Sequence, residues 1–129
     1  MNIVVCVKRV PMTQEVDLEI DASGKGLKAD MLAYVLNEWD NYAVEEAIQL
    51  KEKAEGTVVA VTIGSDDDEE VLRRCLAMGA DKAIRVDPGD LPMDGAVKAR
   101  ILAAVIKGLE YDLVLTGVQS DDVNDGMVG

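Results

Sequence analysis

Ile3-Val4-Val5-Cys6-Val7, closed by Lys8-Arg9, is the stretch that decides the fold. The run is apolar at every position, so neither face of the strand it forms is meant for water. Strands buried on both faces belong to the middle of parallel sheets. Thr57-Val58-Val59-Ala60-Val61-Thr62-Ile63 repeats the pattern at greater length. Shorter runs from Ala83 to Val86 and from Asp112 to Thr116 complete the set, the last ending at Gly117.

Helical periodicity fills the intervals. Asp40 is expected to start a helix with Ala43, Val44, Ala47, Ile48 and Lys51 along one stripe and a stop at Gly56. The lysines at 51 and 53 suit the negative end of its dipole. Ser65 and Asp68 form an acidic capping box ahead of Val71, Leu72, Cys75 and Leu76, and Gly79 ends that helix. Val97, Ile101 and Val105 mark a further helix closed by Gly108. Residues 15–33 read instead as a small hairpin excursion, with alternation from Val16 to Ile20 and turn chemistry from Asp21 to Gly26. Strands alternating with helices require parallel pairing and right-handed crossovers. The expected fold is therefore a doubly wound α/β domain, a mainly parallel sheet with helices on both faces.

Composition limits the function. The chain has 129 residues, 49% hydrophobic and 29% charged, which suits one globular domain spanning 1–129. A net charge of −12 argues against nucleic acid and against an anionic membrane surface. Histidine is absent, so histidine-based triads and histidine-ligated metal sites are excluded. Cys6 and Cys75 fall on apolar positions and read as buried thiols of a reducing compartment. Neither a signal peptide pattern nor a run of membrane-spanning length is present, so a cytoplasmic location is expected.

Ligands of such sheets bind beyond the carboxyl ends of the strands. Those ends are Lys8-Arg9, Gly64-Ser65 and Gly117-Val118-Gln119-Ser120, and the turn Leu36–Asp40 enters its helix at the same level. Asn37, Trp39 and Asp40 could offer a nucleotide an amide, a flat apolar face and a helix N-terminus. They could equally serve structure alone, Asp40 as a cap and Trp39 as a seal on the core. Gly117 lets backbone amides approach a phosphate or base, or opens an ordinary loop. Lys8 and Arg9 could balance an anion there, or simply end a strand in solvent.

Other motifs fail on context. Gly24-Lys25-Gly26-Leu27-Lys28-Ala29 matches a dinucleotide fingerprint but follows no buried strand and opens no helix. Asp66 to Glu70 complements a helix dipole without needing a metal. Asp121 to Gly126 resembles a calcium loop, yet Val123 stands where an oxygen ligand is required. Nucleophile elbow and Walker loop are both missing, which argues against hydrolase or transferase chemistry.

Val4-Val5-Cys6-Val7-Lys8-Arg9-Val10-Pro11 resembles the opening strand of the beta subunit of electron transfer flavoprotein. Further blocks agree in order: Asn37-Glu38-Trp39-Asp40 with Ala43 to Ala47, Leu50-Lys51-Glu52, Leu76-Ala77-Met78-Gly79-Ala80-Asp81, and Asp112 to Ser120. The resemblance implies a Rossmann-like sheet of the adenine-nucleotide alpha-hydrolase kind. It implies an electron carrier, not an enzyme, that pairs with an alpha subunit holding most of a redox FAD and takes electrons from flavin dehydrogenases. The beta sheet would hold a structural AMP or, in electron-bifurcating members, a second FAD. Carried over, the nucleotide contacts fall on Cys6, on Asn37, Glu38, Trp39 and Asp40, on Ile63, and on the loop after Thr116. In that loop they are Gly117, Val118, Gln119, Ser120, Asp121, Asp122, Asn124, Gly126, Met127 and Val128.

Two departures bear on this. Asn37-Glu38 stands where many members have Asn-Pro, a form resembling the branch that serves methylotrophic amine dehydrogenases. Met127-Val128-Gly129 stands where the family commonly has Gln-Thr-Gly or Gln-Val-Gly, and losing that glutamine removes one polar contact. Family members also continue past this loop into a dehydrogenase-docking segment, so a truncated beta subunit is expected. The alternative function is a free-standing adenine-nucleotide sensor or a structural module. A sensor of the universal stress kind would show a late Gly-x-x-Gly loop, whereas Gly117 is followed by Val118-Gln119-Ser120.

Overall fold

The computed structural model describes residues 1–14, 16–28, 30 and 32–129. Its strands and helices run in the order β1 (Asn2–Cys6), β2 (Arg9–Pro11), β3 (Tyr34–Leu36), α1 (Glu38–Ala54), β4 (Thr57–Ile63), α2 (Glu69–Met78), β5 (Lys82–Val86), α3 (Gly95–Ile106) and β6 (Leu113–Thr116). Four strands form a wholly parallel sheet in the order β5-β4-β1-β6. β1 is internal, with Val4 opposite Val59 on one side and Val114 on the other. That position accounts for its unbroken apolar sequence.

Strand alternation divides the core in two. Ile3, Val5, Val7, Val58 and Ala60 point to the face covered by α1 and α2, where they meet Val44, Ala47, Ile48, Val71, Leu72 and Cys75. Val4, Cys6 and Val61 point the other way, to Leu102 and Ile106 of α3. The sheet is thus covered on both faces, as a doubly wound fold requires. Both cysteines are buried and free.

Several local expectations need correction. Val97, Ile101 and Val105 are only half-buried, and the stripe of α3 is centred one residue further on, at Leu102 and Ile106. Helix α1 ends at Ala54, and the residue in the left-handed conformation is Glu55 (φ 49°), not a glycine. Gly56 is needed for a different reason, because a Cβ there would run into the carbonyl of Met1, which accepts the Thr57 N–H at 3.2 Å. The Ser65–Asp68 box does form, Asp68 accepting the Ser65 N–H at 2.9 Å, but it opens a turn of 3₁₀ helix ahead of α2.

The excursion is flanked by a pairing the sequence concealed. β2 and β3 form a separate antiparallel ribbon, Arg9 opposite Leu36 and Pro11 opposite Tyr34. Three residues each, with a proline in one, are too few to show a period. Within the excursion, Ile20 bridges Leu27 across the turn at Asp21–Gly26. Glu15, Ala29 and Met31, which also fall in the expected hairpin, lie outside the described residues.

Candidate functional site

A cleft of about 310 Å³ lies beyond the carboxyl ends of β1 and β6. The chain runs outward from β1 to β4 and β5, then returns to the other side of β1 as β6, so the strand order reverses between them. Open α/β sheets bind ligands at such reversals. Cys6, Val7 and Lys8 line it from the end of β1, Ile63 from β4, Lys98 and Leu102 from α3, and Thr116 to Ser120 from β6 and its loop.

The first turn of α1 supplies two buried polar side chains. Asn37, only 1% exposed, holds the N-cap position but does not cap. Its amide nitrogen donates to the Gln119 carbonyl at 2.9 Å, and its amide oxygen accepts the Asp121 N–H at 3.1 Å. One side chain thereby offers the loop backbone the donor and acceptor that a neighbouring strand would. Asp40 does not start the helix as expected, since Glu38 does, and its carboxylate lies buried inside the first turn. Oδ2 accepts the Lys8 N–H at 2.8 Å. Gly117 packs on the same carboxylate, and a Cβ there would overlap Oδ1 and lie 3.0 Å from the Asp40 nitrogen.

Burial raises the Asp40 carboxyl to a pKa of about 6, against the opposing pull of the Lys8 N–H, the Asn37 amide, the Gly117 N–H and the Lys8 charge. Cys6 is pushed up to about 11 by burial and by the charge of Asp40. It therefore presents a neutral thiol to the cleft.

The cations expected at the rim are already paired. The Lys8 ammonium binds Asp122 at 2.5 Å and the Ser120 hydroxyl at 3.2 Å. Burial would raise the Asp122 carboxyl, but the bonds from Lys8 and Ser120 outweigh it and hold the group below its ordinary value. Arg9 lies in β2, 3.5 Å from the Asp68 carboxylate and stacked 4.1 Å above the Tyr34 ring. Lys98 is the cation that sequence reasoning missed. It closes the first turn of α3, whose cap Asp94 accepts the Val97 N–H at 2.8 Å, and it faces the cleft. The acidic run beyond β4 is likewise engaged, with Asp66 2.7 Å and Glu69 3.3 Å from Arg85.

The loop after β6 folds back on itself. Asn124 (φ 57°) and Gly126 (φ 59°) adopt left-handed conformations that let Asp125 and Met127 pack on Gly95 at the start of α3. Gly129 returns beside Thr116, whose hydroxyl would lie 2.7 Å from a Cβ there.

Of the residues singled out beforehand, Cys6, Asn37, Asp40, Ile63, Gly117, Val118, Gln119, Ser120, Gly126, Met127 and Val128 line this cleft. Glu38, Trp39, Asp121, Asp122 and Asn124 do not. Glu38 and Asp121 border a second hollow beside the β2–β3 ribbon. Trp39 neither seals the core nor faces the cleft, being 41% exposed and packed edge-on against Tyr42 with ring centres 6.4 Å apart. Val123 and Asp125, inside the expected loop, also line the cleft, and Met93 joins the lining unforeseen.

The family model of the electron transfer flavoprotein domain matches residues 27–129. The chain belongs to this family. It is 44% identical to the electron transfer flavoprotein subunit beta of Methylophilus methylotrophus over 125 residues, 95% of this chain and 47% of that protein. It is 40% identical to the subunit of the same name in Bacillus subtilis, over 99% of this chain and 49% of the relative. A third relative is the caffeyl-CoA reductase-Etf complex subunit CarD of Acetobacterium woodii, 37% identical over 100% of this chain and 50% of that protein. The chain thus spans about half the length of the curated relatives it matches. Among the described residues no helix is long and apolar enough to cross a membrane.

Proposed function

We propose that the cleft beyond β1 and β6 holds AMP and that the chain is the nucleotide-binding domain of an electron transfer flavoprotein beta subunit. The single observation that carries this reading is the cleft's position at the reversal of strand order, lined by both apolar side chains and exposed loop backbone. Ile63, Met93 and Leu102 offer apolar surface suited to a base, while Lys98 and the backbone from Gly117 to Ser120 offer cation and amides suited to a phosphate. AMP would contribute no redox chemistry here and would act as a structural cofactor. At about 310 Å³ the cleft lies near the lower end of ligand sites, commonly about 300–1,000 Å³. A mononucleotide suits that space better than a second FAD.

In this reading the chain is a carrier subunit and not an enzyme. It pairs in the cytoplasm with an alpha subunit that bears the redox FAD, and flavin dehydrogenases supply the electrons. The test is to denature the purified protein and identify released molecules by chromatography with absorbance spectra. AMP is the expected product. Released FAD would replace AMP with a bifurcating type of site, and the absence of any nucleotide would refute nucleotide binding by the purified chain.

A further inference from the structure

Resting on the reading of the cleft as an adenine-nucleotide site, we infer that Lys98 and Asp125 limit its ligand to one phosphate, Lys98 by holding that phosphate and Asp125 by repelling any beyond it. The cations lining the cleft are Lys8, Arg9 and Lys98, and the first two are spent. Lys8 is held by Asp122 and Ser120, and Arg9 lies between the Asp68 carboxylate and the Tyr34 ring. Lys98, half-buried on α3, makes no ion pair and no side-chain hydrogen bond among the described residues. Its charge is therefore the one left to meet an anion in the cleft.

Helix starts are the other usual source of phosphate binding, through their free N–H groups. Those near this cleft carry carboxylates of the chain instead. Asp40 lies in the first turn of α1, Asp68 accepts the Ser65 N–H at 2.9 Å in the turn before α2, and Asp94 caps α3. Asp125 adds a further carboxylate from the loop after β6. It lies so closely on Gly95, the buried first residue of α3, that a Cβ there would collide with Oδ2. Lys98 follows Gly95 by three positions, which puts the two on one helix face, and Lys98 and Asp125 both line the cleft. Asp125 makes no ion pair among the described residues, and its side chain accepts only the Met127 N–H, at 3.4 Å. A phosphate held by Lys98 balances that lysine. A second phosphate finds no cation left and meets the charge of Asp125, which repels it. The ADP half of FAD carries the same second phosphate, so one carboxylate disfavours ADP and FAD alike.

The test is the affinity of adenosine, AMP and ADP, by calorimetry, for the wild type, Lys98→Gln, Lys98→Arg and Asp125→Asn. The wild type should bind AMP more tightly than either of the others. Lys98→Gln should weaken AMP about tenfold, through loss of a charge-assisted bond, and leave adenosine within about twofold. Lys98→Arg keeps the charge and should keep AMP within about threefold of the wild type. Asp125→Asn preserves size and the acceptor for the Met127 N–H. It should lower the ratio of the ADP to the AMP dissociation constant about threefold to tenfold, and less in about 0.5 M salt, where exposed charges are screened. A Lys98→Gln variant that loses adenosine as much as AMP would reduce Lys98 to a structural part and overturn its role. A wild type that binds AMP, with the same ADP-to-AMP ratio in Asp125→Asn, would overturn the inference while leaving the site intact. A wild type that binds ADP as tightly as AMP would overturn it too. A wild type that binds none of the three would overturn the site itself.

Discussion

Gly117→Ala is the substitution that most directly probes the junction of β6 with α1. A Cβ at this position overlaps Asp40 Oδ1 and lies 3.0 Å from both the Asp40 nitrogen and the Trp39 carbonyl carbon. Two of those three atoms are backbone of a helix turn, so no side-chain rotation relieves the contact. Either β6 or the first turn of α1 must move, and the 2.8 Å bond from the Lys8 N–H to Asp40 is strained by either shift. Overpacking of this kind costs about 1–3 kcal/mol, against a gain of about 0.4–1 kcal/mol from the stiffer unfolded chain. The net expectation is a loss of about 1–2 kcal/mol, read by urea denaturation at neutral pH. Gly108→Ala is the matched control, since a Cβ there meets only the Val105 carbonyl at 3.3 Å. It should fall within about 0.5 kcal/mol of the wild type. If Gly117→Ala were as stable as Gly108→Ala, the packing of the loop on Asp40 would be wrong.

Leu72→Ala, in the core between α2 and the sheet, should cost about 2–5 kcal/mol in the same assay, and a loss below 1 would contradict its burial. Asp81 accepts from Lys51 at 2.8 Å and from the Val58 N–H at 2.8 Å, which hold its carboxyl below the ordinary 3.8. Its stabilisation is therefore present above pH 3.8 and lost as pH falls through the lower folded value, so the gap between wild type and Asp81→Asn should narrow on acidification. Asp40 has the opposite sign, because its folded value of about 6 exceeds the unfolded one. Its contribution to stability is complete below pH 3.8 and is lost as pH rises through 6, and wild type should lose ground to Asp40→Asn over that range. Cys6 and Cys75 should resist a thiol reagent at pH 8 in the native protein and react fully in denaturant; rapid native reaction would refute their burial.

The parts legible in sequence were those where one local pattern decides the outcome. Thr57–Ile63 is bounded as its apolar run implied, and Gly79 (φ 128°) ends α2 as a glycine signal should. The four-strand parallel sheet followed from unbroken apolar strands alternating with helical stripes. What stayed hidden depends on residues far apart in the chain. The bonds of Asn37 to Gln119 and Asp121 span more than eighty positions and end on backbone atoms, which carry no residue code. Asp40 looked like a cap because acidic residues at helix starts usually are, yet its burial beneath Gly117 is set by how β6 docks. Trp39 misled for a related reason. Its size implied a packing role, but the helix phase turns it outward beside Tyr42 and leaves Asn37 and Asp40 facing inward.

The location of the nucleotide is the central claim, and amide hydrogen exchange with and without saturating AMP tests it most directly. Protection should increase at residues 6–8, at Asn37, Asp40 and Ile63, and at residues 116–120 and 125–128, which border the cleft, and should be unchanged from Asp21 to Leu27 in the excursion. Protection confined to the hollow beside β2 and β3, around Val10, Tyr34 and Arg74, would place the nucleotide elsewhere and contradict the account.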